Sequence, residues 1–303
     1  MRPAKAARVR LPADSTIGDV FALLVDNCAD QMQANEAGLC TSRNPEYLHQ
    51  FRVALRRLRS LYRIYRPLLA DAEHAALTAE LSWLSGLLGA TRDWDVFLHE
   101  TLAPLRRENP YAVCLDTLRR RCLVQRRRRA AAMRRALTSE RYTTLKSAVL
   151  RGAVLQAPLD VASARWRREQ AANAFGAARL AKLEKKVQQL ACAPHATDSA
   201  RRHRLRIAVK RLRYAVDFFR AFFDAADVRA YSSALADLQD TLGTLNDCVT
   251  ARRLLDDVGP GRDALAHAQA LECVLAWLSA RERDHLLALE SRCAEWRAQK
   301  IFW

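Results

Sequence analysis

The stretch His49-Gln-Phe-Arg-Val-Ala-Leu-Arg-Arg-Leu-Arg59 returns, 154 residues later, as His203-Arg-Leu-Arg-Ile-Ala-Val-Lys-Arg-Leu-Arg213. The same offset pairs Asn44 with Asp198, Leu88-Gly89 with Leu242-Gly243, and Asp93 with Asp247. A chain rich in Arg, Leu and Ala makes chance matches common. Matches of His, Gly and Asp, held without a gap over about 50 residues, point instead to an internal repeat. The sequence predicts two homologous halves, about 15–150 and 165–300, joined around Gln156-Ala-Pro158-Leu-Asp160.

The repeated segment reads as a helix. Asn44 and Asp198 are suited to cap its start, with Pro45 at the first helical position of one copy. The helices are expected to run to about Leu69 and Phe223. Segments 72–91 and 227–245 predict further helices, as do 15–39, 111–151, 170–191 and 262–300. No stretch alternates strongly enough for strands. Only nine Gly and nine Pro occur in 303 residues, about half the usual share, which disfavours turn-rich sheets and barrels. The expected class is all-α, each half carrying enough helices for a four-helix bundle. Gly89 and Gly243 are expected to permit close helix packing or a break.

At 100° per residue, with His49 at 0°, residues Arg52, Arg56, Arg59 and Arg63 fall with it inside an arc of about 80°. Phe51, Ala54, Leu55, Leu58, Leu61, Tyr62, Tyr65 and Leu69 take the opposite side. The second copy repeats the pattern. His203, Arg206, Lys210 and Arg213 form the stripe, Asp217 stands where Arg63 stands in the first, and Leu205, Ala208, Val209, Leu212, Val216, Phe219 and Phe223 form the core face. An ordinary wet face mixes signs; from His49 to Arg66 there is no acid. Like charges three and four residues apart cost a helix a few tenths of a kcal/mol each, and the arrangement occurs twice. The stripe spans about 21 Å at the α-helical rise, which suits a linear polyanion lying along the helix. Two such stripes facing each other would line one channel.

Composition agrees. The formal net charge is +17, from 50 Lys and Arg against 33 Asp and Glu, a self-repelling excess that calls for a polyanionic partner. Arg outnumbers Lys 43 to 7; the guanidinium fork suits phosphate, but coding bias in an Arg- and Ala-rich genome is the simpler reading of the ratio itself. No apolar run is long enough to suggest a membrane span, and no signal peptide is evident. The eight cysteines lack metal spacing and read as reduced cytosolic thiols.

The doubled H-x-x-R-x-x-x-[RK]-R-L-R helix, followed by L-G-x-x-x-D in an all-helical chain, resembles the CHAD domain, the conserved histidine α-helical domain. The resemblance covers about residues 15–300 and makes 1–303 a single domain. It implies two pseudo-symmetric four-helix halves enclosing a basic central cavity or groove, binding of inorganic polyphosphate, and residence at polyphosphate granules in the cytoplasm. Carried over by position, the ligands would be His49, Arg52, Arg56 and Arg59 with His203, Arg206, Lys210 and Arg213; Arg63 extends the first stripe. Many relatives carry a CYTH triphosphatase domain, whose E-x-E-x-K signature is absent here.

Further anion contacts are sought at Arg126 and Arg129, on the very basic segment Arg119–Arg135, and at Lys182 and Lys186, four residues apart. Arg57 and Arg211 are also candidate anion contacts, but they fall at about 80° on the same helical wheel, off the stripe, and read first as ion-pair partners of Asp93 and Asp247. Those acids are expected to orient basic side chains rather than bind metal. The histidines read as phosphate donors; Val53 and Ile207 stand where a second metal ligand would be needed. His74, His99, His195, His267 and His285 have no repeat partner and read as surface residues. No metal, cofactor or catalytic residue is expected. A nucleic-acid binder is the main alternative, yet Tyr62, Tyr65, Phe219 and Phe223 lie on the core face rather than among the arginines, where bases would stack. A metal-dependent phosphoanhydride enzyme or accessory is the weaker alternative, with Asp93, Asp95 and Asp247 its only acids. Sulfate or phosphate ions are expected to mimic the ligand.

Overall fold

Side-chain caps start most of the helices. In the computed structural model, which describes residues 2–69, 71–109, 112–150, 169–191, 198–259 and 263–303, helix α1 (Ile17–Thr41) opens on a capping box between Thr16 and Asp19. Helix α2 (Pro45–Ile64) opens on Asn44, whose side chain accepts from Glu46 N at 2.9 Å. Asp224 caps α9 (Ala225–Asp256), and Asp263 caps α10 (Ala264–Arg297). Between them run α3 (Asp71–Val96), a π-helical turn at 97–102, α4 (Ala103–Glu108), α5 (Val113–Leu137), α6 (Glu140–Leu150), α7 (Ala172–Ala191) and α8 (Ser199–Phe219), the last capped by Asp198. No strand occurs among the described residues; one isolated antiparallel bridge joins Thr16 and Ala171.

Two pairs of helix starts keep the 154-residue offset, α2 at Pro45 with α8 at Ser199 and α3 at Asp71 with α9 at Ala225, whereas α1 at Ile17 and α7 at Ala172 stand 155 apart. Their ends depart from expectation. Helix α2 stops at Ile64 rather than near Leu69, because Pro67 lacks a donor and disfavours α backbone before it; a 3₁₀ turn, Arg66–Leu68, follows. Helix α8 stops at Phe219 and also continues as a 3₁₀ turn. The segment expected to run from 111 to 151 breaks into α5 and α6 at Thr138-Ser139. Helices α3 and α9 run unbroken through Gly89 and Gly243, so neither glycine makes the expected break. The joining segment 156–160 lies outside the described residues, as do Cys192 and His195.

Burial draws on both stretches of sequence together. One core gathers Phe21, Leu24, Phe51, Leu55, Leu58, Tyr62 and Tyr65 with Leu180, Leu205, Val209, Leu212 and Phe219. Within it the rings of Phe21 and Tyr65 lie 4.7 Å apart, and Tyr65 and Phe175 5.0 Å apart. Gly176 admits the Phe219 ring, since a Cβ there would lie 2.9 Å from it. A second core joins Trp94, Phe97, Leu102, Leu115 and Leu118 to Leu254, Ala270, Val274 and Leu278. At the other end, Ile17 N donates to Gln170 O at 2.9 Å and Ala172 N to Ser15 O at 3.0 Å, tying the start of α1 to that of α7. These contacts bring α2 and α8 side by side, apolar faces inward.

Candidate anion-binding site

With Leu58, Leu212 and their neighbours buried, the cationic rows of α2 and α8 are left facing a common groove of about 460 Å³. Helix α2 lines it with Arg52, Arg56, Arg59, Ser60 and Arg63. Helix α8 contributes Arg206, Ile207, Lys210, Arg211 and Tyr214, and α3 adds His74 and Thr78. Seven of these side chains are Arg or Lys, and no acid is among them.

Three of the α2 cations are held by identifiable contacts. Arg52 Nη1 lies against the backbone of α3, donating to Ser85 O at 3.3 Å. Gly89 makes the room, because a Cβ there would lie 2.9 Å from Arg52 Nη1. Its partner in the sequence offset, Gly243, has nothing within 4 Å. Arg56 Nε donates to Tyr214 Oη at 3.2 Å, linking α2 to α8. Arg59 Nη2 donates to Ser82 Oγ at 3.1 Å. The Nε atoms of Arg52 and Arg206 are buried with no hydrogen-bond partner among the described residues.

Burial of like charges shifts their titration. Desolvation, then the charge of Arg56, lowers Arg52 to about 10, against the pull of Asp93. Desolvation also lowers Arg206, with Asp247 opposing it. Lys210 is lowered furthest, to about 7, by burial and by Arg206, Arg56 and Arg52, while Asp247 pulls the other way. Asp247 is itself raised by burial. Asp93 and Asp247 therefore act on the basic cluster electrostatically. The oxygen of Asp93 accepts from Arg253 Nη2 at 3.1 Å.

Not every expected residue reaches the groove. His49 is half-buried beside it, its pKa lowered by desolvation and by Arg92, Arg56 and Arg52. His203 is exposed and lines a separate pocket between α8 and α9, which Arg206 also touches. Arg213 is exposed and outside the groove lining. The cause is a difference in rotation. Helix α2 presents the arc from Arg59 to Ser60, about 280° to 20°, whereas α8 presents about 300° to 80°, from Arg206 to Arg211. So Arg211 enters the groove, while Arg57 is buried, 3.7 Å from Asp217 and 3.3 Å from Gln31 Oε1. The expected pairing of Arg57 and Arg211 with Asp93 and Asp247 is thereby corrected for Arg57 and Asp93, which pair with Asp217 and Arg253.

Arg126 and Arg129 do not reach the groove either. Arg126 Nε binds the buried carboxylate of Asp95 at 2.9 Å, and Arg129 lies 3.8 Å from Asp257. Arg126 lines its own pocket with Arg43, His99, Arg127 and Arg134. Lys182 and Lys186 line a concavity next to the groove. The histidines read as surface residues are corrected in part, since His74 lines the groove and His267 Nδ1 meets Arg121 at 3.2 Å. The sequence reading also missed Ser60 and Tyr214. They hold equivalent positions in the two copies, both at about 20° on the helical wheel, so the wheel held the signal. Among the described residues no group of three or more His, Cys, Asp or Glu is placed to hold a metal. No helix there is long and apolar enough to cross a membrane.

An all-α chain with paired cationic helices over one groove defines a class of basic helical proteins. Within that class, the CHAD domain family model matches residues 23–256, and the chain belongs to the CHAD family. It is similar over its whole length to the crystal structure of the CHAD domain from the plant Ricinus communis, at 31% identity and a TM-score of 0.85, covering 99% of that chain. PptA from Streptomyces chartreusis shares the fold at 18% identity and a TM-score of 0.69, over 92% of this chain and 99% of its own. No curated protein matches.

Proposed function

We propose that this protein is a binding module for inorganic polyphosphate, held in the groove between α2 and α8, and that this binding takes it to polyphosphate granules in the cytoplasm. The observation that carries the reading is the groove lining, with seven Arg and Lys side chains from two helices and no acid. Such a cluster, partly desolvated, is costly while empty. A chain bearing one negative charge after another relieves it along its whole length. CHAD proteins are associated with polyphosphate-related proteins, which agrees.

Shape and chemistry favour this over nucleic acid. Among the described residues the groove's rings are Tyr214, whose hydroxyl is engaged by Arg56, and His74, too few for serial base stacking. The protein is read as binding without catalysis, and release of phosphate from polyphosphate with Mg²⁺ would contradict that. The test is competition among long polyphosphate, duplex DNA and RNA of equal charge at one fixed salt concentration, since counterion release makes such affinities salt-dependent. Polyphosphate is expected to win; equal affinities would overturn the proposal.

A further inference from the structure

The groove does not close at its Arg63 end. Ser60, Arg63 and Arg211 also line an adjoining concavity of about 510 Å³ between the end of α2 and α7. Helix α7 supplies it with Arg179, Lys182, Lys185 and Lys186, and no acid lines it among the described residues. These four fall within an arc of about 120° on α7, and Glu184 lies buried on the other side. They form a third cationic row, with the same unfavourable spacing of like charges as the first two.

The sequence offset makes this row distinctive. The helix starts Ile17 and Ala172 and the Thr16–Ala171 bridge set α1 against α7 at an offset of 155, so the counterparts of this row are Leu24, Asn27, Asp30 and Gln31, none of them a cation. There Arg57 is buried against Gln31 and Asp217. On α7 all four positions are cations, Lys182, Lys185 and Lys186 are exposed, and Arg211 lines the opening. A scaffolding role asks for none of these charges. We infer that the α7 concavity is a second binding station for the same phosphate chain, which leaves the groove between Arg63 and Arg211 and continues along Arg179, Lys182, Lys185 and Lys186. This rests on the polyphosphate reading of the groove.

The experiment compares tripolyphosphate with long polyphosphate on the full chain at fixed salt. The variant Lys182→Glu/Lys185→Glu/Lys186→Glu, with a neutral Gln version as a check on folding, should weaken long-chain binding roughly tenfold or more, leave tripolyphosphate affinity unchanged and make the salt dependence shallower. A matched reversal on α5, Arg119→Glu/Arg120→Glu/Arg128→Glu, changes net charge equally and should change long-chain affinity far less. Equal losses from the α7 and α5 variants, or equal losses for short and long chains in the α7 variant, would overturn the inference. Lys210→Glu reports on the groove separately: if it alone weakens both ligands, the groove stands and the second station falls.

Discussion

Lys210 is the residue on which pH should act. It is surrounded by Arg52 and Arg56 from α2, Arg206 from its own helix and Asp247 from α9, and it titrates near 7 instead of its ordinary 10.5. A bound polyanion favours its charged form. Affinity should therefore be flat below about pH 7 and fall as pH rises through 7 towards 9. The fall is at most about tenfold per pH unit, because one proton is linked. Lys210→Met should flatten the profile while lowering affinity about ten- to a hundredfold, the worth of a charge-assisted contact. The empty protein should show the opposite trend. Above pH 7 the unfolded chain holds the proton that folded Lys210 has lost, so stability from this group rises between about 7 and 10.5; thermal melts across that range check it. The neighbours Arg56 and Arg57 should separate binding from folding. Arg56→Ala should weaken polyphosphate binding and leave Tm nearly unchanged. Arg57→Ala, which removes a buried side chain whose guanidinium carbon lies 5.6 Å from the centre of the Phe218 ring, should cost about 2 kcal/mol of stability and little affinity.

At the scale of the element, Gly89 and Gly243 look alike in the sequence and differ in the structure. Replacing either by Ala inside a helix gains up to about 1 kcal/mol of propensity. Gly243→Ala should show that gain with binding unchanged, since nothing lies within 4 Å. Gly89→Ala pushes on Arg52 Nη1 and should weaken polyphosphate binding at unchanged or higher Tm; titration beside a melt distinguishes the two variants. The helices, their caps at Asn44 and Asp198 and the cationic stripes were legible because a helical period and capping chemistry are local. Rotation of one helix against its neighbour is not local. The sequence wheel treats α2 and α8 as equivalent, and packing turns α8 so that Arg213 leaves the groove and Arg211 enters. The ion pair of Arg126 with Asp95 was hidden for the same reason, since it depends on where α5 lies against α3.

For the whole molecule, two sequence stretches of similar pattern share their cores. Phe21, Tyr65, Phe175 and Phe219 pack in one aromatic group, and Trp94 shares a second core with Leu254 and Val274. Residues 1–150 or 165–303 expressed alone should therefore fail to unfold cooperatively, whereas the full chain should melt as one unit. Because the groove takes its cations from both stretches, it should act as a single site. The most direct measurement is calorimetric titration of the full chain with long polyphosphate, beside Arg52→Ala/Arg206→Ala, at one salt concentration. One binding event per protein, weakened more for long chains than for tripolyphosphate in the double variant, is the expected result. Two equal independent sites, or an affinity indifferent to both substitutions, would contradict a shared groove.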